Sequence, residues 1–229
     1  MAEIIDGKKI SGEIREKLKL KVNELKNRCG SVPGLAVVLA GEDPASAVYV
    51  RMKGKGCEET GIRSFQYVLP EDISEQEILS LVDQLNKDVK VNGILVQLPL
   101  PAHISESSII NVISPEKDVD GFHPVNIGKM VAGEDCFYPC TPLGIQELIY
   151  RNVKDLKGKH VVVVGRSNIV GKPVANMMIQ KNDRANCIVT VCHTAAPDIS
   201  IYTKQADILV VAAGRPSTVT GDMVKEGVV

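Results

Sequence analysis

Tyr49 and Lys53 stand four positions apart in the segment YVRMKGKGC, residues 49–57. In an α-helix this spacing puts both side chains on one face, one turn apart. A phenol beside an amine can hold the amine in place and exchange a proton with it. A lysine serves as a general acid or base near neutral pH only where burial or neighbouring groups lower its pKa. The pair therefore indicates acid–base chemistry or, on the simpler interpretation, a solvated lysine beside a half-buried tyrosine.

Further polar residues come from the same half of the chain. Gln97 ends an apolar run, and ligands bind at the carboxyl edge of open α/β sheets, so this amide either lines a pocket or caps a loop. Asp118 and Asp120 in KDVDG share one face of an extended segment, where they could hold a metal, accept a hydrogen bond from a ligand, or form a turn. We discount a metal site because no third or fourth oxygen ligand stands at the spacing of a calcium site. We expect His123 to be structural.

The second half of the chain contains GRSNIVGKP, residues 165–173, directly after a β-branched run. A strand, a glycine turn and a helix are the parts of a dinucleotide site, because glycine lets the backbone approach phosphate and the helix N-terminus supplies N–H groups. Gly165 and Gly171 depart from the G-x-G-x-x-G spacing. The glycine pattern alone therefore fits an ordinary strand-to-helix turn equally well.

The residues around this turn favour one dinucleotide over the other. Sites that select NAD place an acid after the following strand to bind the ribose 2′-hydroxyl. Here that strand ends in VTVCHT without an acid, whereas Arg166, Ser167 and Thr194 offer a cation and two hydroxyls. This set suits a 2′-phosphate and predicts NADP, the alternative for Arg166 being a solvated loop charge.

Strands and helices alternate along the chain and must position these residues. Predicted strands, several of them continuously apolar as in a buried parallel sheet, cover residues 35–41, 65–69, 93–98, 160–165, 187–192 and 207–214. Predicted helices cover residues 10–27 and residues 74–88, the latter with a Ser74/Glu77 capping box. Another has Asp43 as cap, Pro44 in the first position and Gly61 after its end, and a fourth begins with Thr141 as cap and Pro142 in the first position. The alternation predicts α/β units with right-handed crossovers.

The domain boundary is expected near residue 140. Residues 114–140 are rich in proline, glycine and acids, with at most one short helix near 125–132. We predict two α/β domains, residues 1–139 and 140–229, the second a Rossmann-like parallel sheet, with a cleft between them. The final GDMVKEGVV stops as a new strand begins, and we expect the chain to be part of a longer one.

Composition excludes several classes of function. Lys and Arg total 27 against 28 Asp and Glu, and aromatic residues are 3% with no Trp, which argues against nucleic-acid binding. The six cysteines form no C-x-x-C pair, and no His cluster has zinc spacing. No apolar run approaches membrane length and the N-terminus lacks a signal peptide pattern, so we expect a cytoplasmic protein without a membrane partner.

Together, seven segments resemble the bifunctional methylenetetrahydrofolate dehydrogenase/cyclohydrolase family. In chain order they are PASAVYVRMKGKGCEETGI, GILVQLPLP, PEKDVDGFHPVNIG, PCTPLGI, GRSNIVGKP, VTVCHT and ADILVVAAGRP. The resemblance implies two reactions: NADP-dependent oxidation of 5,10-methylenetetrahydrofolate to the methenyl compound, and its hydrolysis to 10-formyltetrahydrofolate. It also implies a homodimer formed through the second domain.

By this resemblance, each polar residue acquires a role. Lys53 is the essential lysine, Tyr49 its partner and substrate contact, Gln97 the amide that sets the state of the lysine, Asp120 the acid that binds the pterin, and Ser46 a further folate contact. Cofactor positions are Gly165, Arg166, Ser167, Gly171 and Thr194. The two glycines after Lys53, Gly54 and Gly56, are expected to leave room for substrate or packed backbone.

Two other functions are compatible with parts of this pattern. One is a dehydrogenase, linked to NADP or to NAD, that lacks cyclohydrolase activity and would accumulate the methenyl compound. The other is a non-catalytic dinucleotide-binding or scaffolding module, which would bind NADP without turnover and tolerate loss of Lys53.

Overall fold

The structure is a computed structural model that describes residues 2–229, and it divides into two compact units. The first unit comprises Asp6–Pro124, and the second comprises Val125–Val229 together with residues 2–5. Each contains a three-stranded parallel sheet, as the continuously apolar strands predict. The predicted fold class, two α/β domains, is therefore confirmed.

The first unit is built on strands β1 (Gly34–Ala40), β2 (Arg63–Leu69) and β3 (Gly93–Val96), in the order β2–β1–β3. Its helices are α1 (Gly7–Cys29), α2 (Pro44–Thr60), α3 (Glu75–Lys87) and α4 (Glu106–Val112). The central strand pairs with β2 on one side and β3 on the other. The chain therefore reverses direction along the sheet after β2, and the carboxyl ends of β1 and β3 meet at the switch point where ligands bind in such sheets.

Local sequence signals fix the helices that matter most here. The Asp43 carboxylate accepts the Ser46 backbone N–H at 2.7 Å, and Pro44 occupies the first helical position of α2. The helix ends at Gly61, whose φ of 79° is the left-handed conformation that favours glycine. Both hydrogen bonds of the Ser74/Glu77 capping box are present at the start of α3. These predicted boundaries are confirmed.

Helix α1 is longer and less buried than its apolar periodicity predicts. Apolar residues recur at helical spacing as Ile10, Ile14, Leu18, Val22 and Leu25, yet only Val22 of these is fully buried, and Ile14 and Leu18 remain 39% and 37% exposed. The reason is that α1 packs on α2 rather than on the sheet, with Val22 lying at the C-terminal end of α2 beside Gly61.

The second unit repeats the topology of the first with strands β4 (His160–Val164), β5 (Ile188–Cys192) and β6 (Ile208–Val211), in the order β5–β4–β6. Its helices are α5 (Pro124–Ala132), α6 (Cys140–Asn152), α7 (Gly171–Met178) and α8 (Ser200–Thr203), followed by a 3-10 turn at Gly221–Met223. Val229 accepts a hydrogen bond from the Leu209 N–H and donates one to the Asp207 carbonyl, so it pairs beside β6.

The predicted start of α6 was wrong by two residues. Pro139 precedes the helix without a side-chain cap, Cys140 begins it, and Leu143 N–H donates the first intrahelical bond to the Pro139 carbonyl at 3.0 Å. Pro142 thus lies third rather than first. That position is tolerated because the first N–H groups of a helix have no intrahelical partner.

Among residues 2–229, no helix has the length and apolar character that crossing a bilayer requires.

Gly34 lies so close to neighbouring atoms that a side chain there would overlap them, which gives a test of the sheet geometry. A Cβ on Gly34 would overlap the Lys90 carbonyl and lie 2.9 Å from the Phe65 ring. We expect Gly34→Ala to lower the free energy of unfolding by roughly 1–3 kcal/mol through overpacking. Urea unfolding followed by circular dichroism measures the change.

The matched control is Gly12→Ala within α1, where an added Cβ meets nothing within 4 Å. It should raise stability by about 1 kcal/mol through helix propensity alone. Equal effects of the two substitutions would contradict the close approach of β1 to the Lys90 carbonyl.

Candidate active site

Lys53 and Gln97 come together at the carboxyl end of β3. The Lys53 Nζ donates a hydrogen bond to the Gln97 Oε1 at 2.9 Å, across 44 residues of sequence. Lys53 lies on α2, which follows β1, while Gln97 directly follows β3, so the order β2–β1–β3 is what places the two beside each other. The side chain of each is partly buried. The structure therefore holds the amine at the sheet edge where ligands bind.

The Gln97 amide is fixed at both ends. Its Nε2 donates to the Leu98 carbonyl at 2.8 Å, which leaves Oε1 to accept from Lys53. The backbone N–H of Gln97 donates to the Val38 carbonyl at 2.8 Å, extending the pairing of β1 with β3 by one residue. An amide oxygen can accept from an ammonium or from a neutral amine. Gln97 can therefore hold Lys53 in either protonation state.

Tyr49 lies one helical turn before Lys53 on α2 and is 58% exposed. This exposed phenol is open to a ligand on the face of α2 that carries the lysine. Ser46 is different: it is 2% exposed, and its hydroxyl and backbone N–H both bond to the Asp43 carboxylate, which lowers the pKa of Asp43. In this structure the serine hydroxyl thus serves the cap of α2.

The two glycines after Lys53 have different surroundings. A Cβ on Gly54 would overlap the Gln66 side-chain amide of β2, so a side chain, rather than backbone, occupies the room that Gly54 leaves. A Cβ on Gly56 would meet nothing within 4 Å. No protein atom among the described residues therefore explains Gly56.

Asp118 and Asp120 lie in a turn rather than on one face of a strand. Asp118 is 2% exposed, and its Oδ2 accepts the His123 backbone N–H at 2.8 Å. The Gly121 N–H donates to the Asp118 carbonyl at 3.1 Å, and Gly121 adopts a φ of 65°. Of the alternatives for these acids, Asp118 performs the turn chemistry, and Asp120, at the tip of the turn, is only partly buried.

The glycine turn of the second unit forms a backbone cradle after β4. A Cβ on Gly165, whose φ is 130°, would overlap the Ala212 carbonyl after β6. A Cβ on Gly171 would overlap the Gly165 carbonyl and lie 2.9 Å from the Arg166 nitrogen. Both positions therefore require glycine. The first bends the chain across the end of the sheet, and the second brings α7 against it.

Ser167 caps this turn, and its neighbours line a cavity. The Ser167 Oγ accepts the Val170 and Gly171 N–H groups at 3.2 and 3.4 Å, which fixes the first turn before α7. A cavity of about 210 Å³ opens at the carboxyl ends of β4, β5 and β6. Its lining residues are Val164, Gly165, Arg166, His193, Thr194, Ala195, Ala212 and Ala213.

The structure thus brings Gly165, Arg166 and Thr194 to one cavity, as their sequence positions predict. Arg166 is exposed, and no ion pair to its guanidinium occurs within residues 2–229. The cavity wall also includes His193, which the sequence analysis did not identify. Its Nδ1 accepts the Ala195 N–H at 3.2 Å, so its proton in the neutral form is on Nε2. His193 directly follows β5, and this position at the carboxyl end of a strand is the sequence signal that could have identified it.

The described part of the chain contains no group of three or more His, Cys, Asp or Glu side chains placed to hold a metal ion. The cradle is a fitting site for a phosphate-bearing ligand, since backbone approaches closely and a free cation lies beside it.

Comparisons with known proteins agree with this geometry. Residues 5–120 match the sequence model described as "Tetrahydrofolate dehydrogenase/cyclohydrolase, catalytic domain". Residues 139–229 match the "NAD(P)-binding domain" model of the same family. A relative named "Bifunctional protein FolD", from Dehalococcoides mccartyi strain CBDB1, is 53% identical over 228 residues, covering 100% of this chain and 77% of the relative.

Solved structures extend the similarity to three dimensions. The bifunctional FolD enzyme of Campylobacter jejuni superimposes with a TM-score of 0.94 at 48% identity, over 99% of this chain and 79% of that one. The Trypanosoma brucei FolD, solved with NADP cofactor and an inhibitor, gives a TM-score of 0.91 at 36% identity, over 98% and 76%. On these matches and on the motifs that predicted them, the chain belongs to the tetrahydrofolate dehydrogenase/cyclohydrolase family.

Proposed function

We propose that this chain catalyses both reactions of its family, the NADP-dependent oxidation of 5,10-methylenetetrahydrofolate and the hydrolysis of the resulting methenyl compound to 10-formyltetrahydrofolate. Folate binds to the first domain, residues 1–139, and NADP to the second, residues 140–229. The observation that supports this most strongly is the hydrogen bond between Lys53 and Gln97 at the carboxyl end of β3.

The two reactions make different demands on one amine. Hydride loss leaves a cationic carbon, which an adjacent ammonium would repel, so the oxidation favours a neutral or displaced lysine. In the hydrolysis, water adds to the methenyl carbon and gives a proton to the amine. The amine then returns that proton to a ring nitrogen as the carbon–nitrogen bond breaks, and the hydroxyl proton passes to water as the formyl carbonyl forms. Gln97 keeps Nζ in place during both steps because its oxygen accepts from either form.

The remaining residues of the first domain bind substrate. Tyr49 is exposed one turn from Lys53, where its hydroxyl can hold the lysine or the substrate. Asp120 offers a carboxylate for the donor edge of the pterin, an arrangement in which charge-assisted hydrogen bonds are strong. Ser46 is proposed as a folate contact by resemblance alone, since its hydroxyl bonds to Asp43 in this structure.

The second domain binds the dinucleotide. When bound, NADP supplies the acceptor for the hydride. Gly165 and Gly171 let the backbone approach its phosphates, and Ser167 fixes the turn between them. Arg166 and Thr194 line the same cavity and can contact the 2′-phosphate that distinguishes NADP from NAD.

We propose that the protein is a homodimer formed through the second domain. A homodimer through the second domain is implied by the family resemblance, and β5 is an edge strand with Ile188 61% and Val191 43% exposed. We propose the cytoplasm as the location, where the folate and NADP pools would be available.

Replacing the lysine tests its place in the chemistry. We expect Lys53→Met to slow hydrolysis of the methenyl compound by about 100-fold or more, the range that a positioned acid–base group contributes. The decay of methenyl absorbance, corrected for the uncatalysed rate, measures this. Lys55→Met is the control, because Lys55 lies on the same helix and is exposed beside Glu59. Near-normal hydrolysis by Lys53→Met would remove the lysine from the mechanism.

The 2′-phosphate assignment has its own test. Arg166→Ala should weaken NADP binding by about tenfold or more, because a hydrogen bond to a charged group contributes roughly 1.5–3 kcal/mol. The affinity for NAD, which lacks the 2′-phosphate, should change little. The dissociation constants of both dinucleotides, measured on the same preparations, decide the question, and equal losses for the two would refute the assignment.

A further inference from the structure

Lys117 precedes the two acids of the KDVDG segment, and its ammonium is fully engaged. Nζ donates to the backbone carbonyls of Leu85, Asn86 and Asp88 at 3.1, 2.8 and 2.9 Å. An ammonium has three donors, so every one of them is used. Lys117 is therefore held in place and has no donor left for substrate.

The three carbonyls belong to the C-terminal end of α3. This helix ends at Lys87, and Asp88 is already extended, so the last carbonyls lack helical partners. A cation at this position also interacts favourably with the helix dipole. Lys117 thus acts as a cap supplied from 29–32 residues further along the chain.

The same helix end holds the segment before Lys117. The Asn86 Nδ2 donates to the Val112 carbonyl at 2.7 Å, and the Asn86 Oδ1 accepts the Ser114 N–H at 2.9 Å. The chain from Val112 to Lys117 is consequently attached to α3 by two side chains, one from each partner.

From Lys117 the attachment passes to β3 and to the acids. The Lys117 carbonyl accepts the Ile94 N–H at 2.7 Å, and Ile94 and Asp118 form a parallel bridge. Val119 packs so closely on β3 that a Cβ on Gly93 would overlap its methyl group. We call residues 117–123 the acidic loop. Its start is fixed on β3, the strand that precedes Gln97, and Asp120 is its partly buried tip.

We propose that Lys117 is a positioning residue for folate binding: its ammonium anchors the acidic loop to α3 and so sets where Asp120 meets the pterin. This rests on the proposed function. Because Lys53 and Gln97 lie on α2 and at the end of β3, neither depends on this cap for its own contact. Loss of Lys117 should therefore weaken substrate binding and spare the chemical step.

The test compares Lys117→Met with Lys87→Met. Lys87 lies at the same end of α3, but it is exposed and pairs with Asp83 on its own helix. For Lys117→Met we expect the KM for methylenetetrahydrofolate to rise about tenfold, the effect of losing hydrogen bonds from one charged group, with kcat within about threefold. Amide hydrogen exchange should accelerate at Ile94 and His123. NADP affinity should not change, and Lys87→Met should match wild type throughout.

Several results separate this idea from a purely structural role. Unchanged KM despite faster exchange, or kcat falling as much as kcat/KM, would overturn the positioning role. If Lys117→Met does not fold, Asn86→Ala removes the second attachment and should raise KM in the same way by a smaller factor; an unaltered KM there would also overturn it. Wild-type protein that neither binds nor turns over folate would instead refute the proposed function.

Discussion

The hydrogen bond from Lys53 to Gln97 is the constraint on which the candidate active site depends. A lysine has four rotatable bonds and a strongly hydrated head, so it reacts at a defined point only when a fixed partner holds it. Gln97 is such a partner because its amide is itself held by Leu98 and its backbone by Val38. The bond exists because α2 begins at the Asp43 cap directly after β1, beside the end of β3.

The second unit solves a different problem with the same topology. There the ligand must approach backbone rather than a side chain, so the space after β4 is kept clear by Gly165 and Gly171. Both units carry their functional residues at the carboxyl ends of strands ordered 2–1–3, the edge where the chain changes direction and leaves an opening. One side of the chemistry thus relies on a restrained amine, and the other on close approach to the backbone.

Much of this was predictable because it is local or strongly patterned. All six strands, the cap and end of α2, and the capping box of α3 follow from β-branched runs and capping residues, and the family predicted from the ordered motifs is confirmed. What sequence could not give depends on distant contacts. The start of α6 differs from the predicted start because helix geometry tolerates proline in any of the first positions. The side chain nearest Gly54 belongs to Gln66 on β2, and the hydrogen-bond partners of the Lys117 ammonium lie at the end of α3. No pattern in the neighbouring residues predicts either contact.

A crystal structure with a bound folate is the most direct test of the account. We expect the Lys53 Nζ to remain bonded to the Gln97 oxygen. We also expect it to lie within about 3.2 Å of the nitrogen that carries the one-carbon unit, or of an ordered water beside the carbon of that unit. A folate bound at another place, with the Lys53 Nζ directed into bulk solvent, would contradict it.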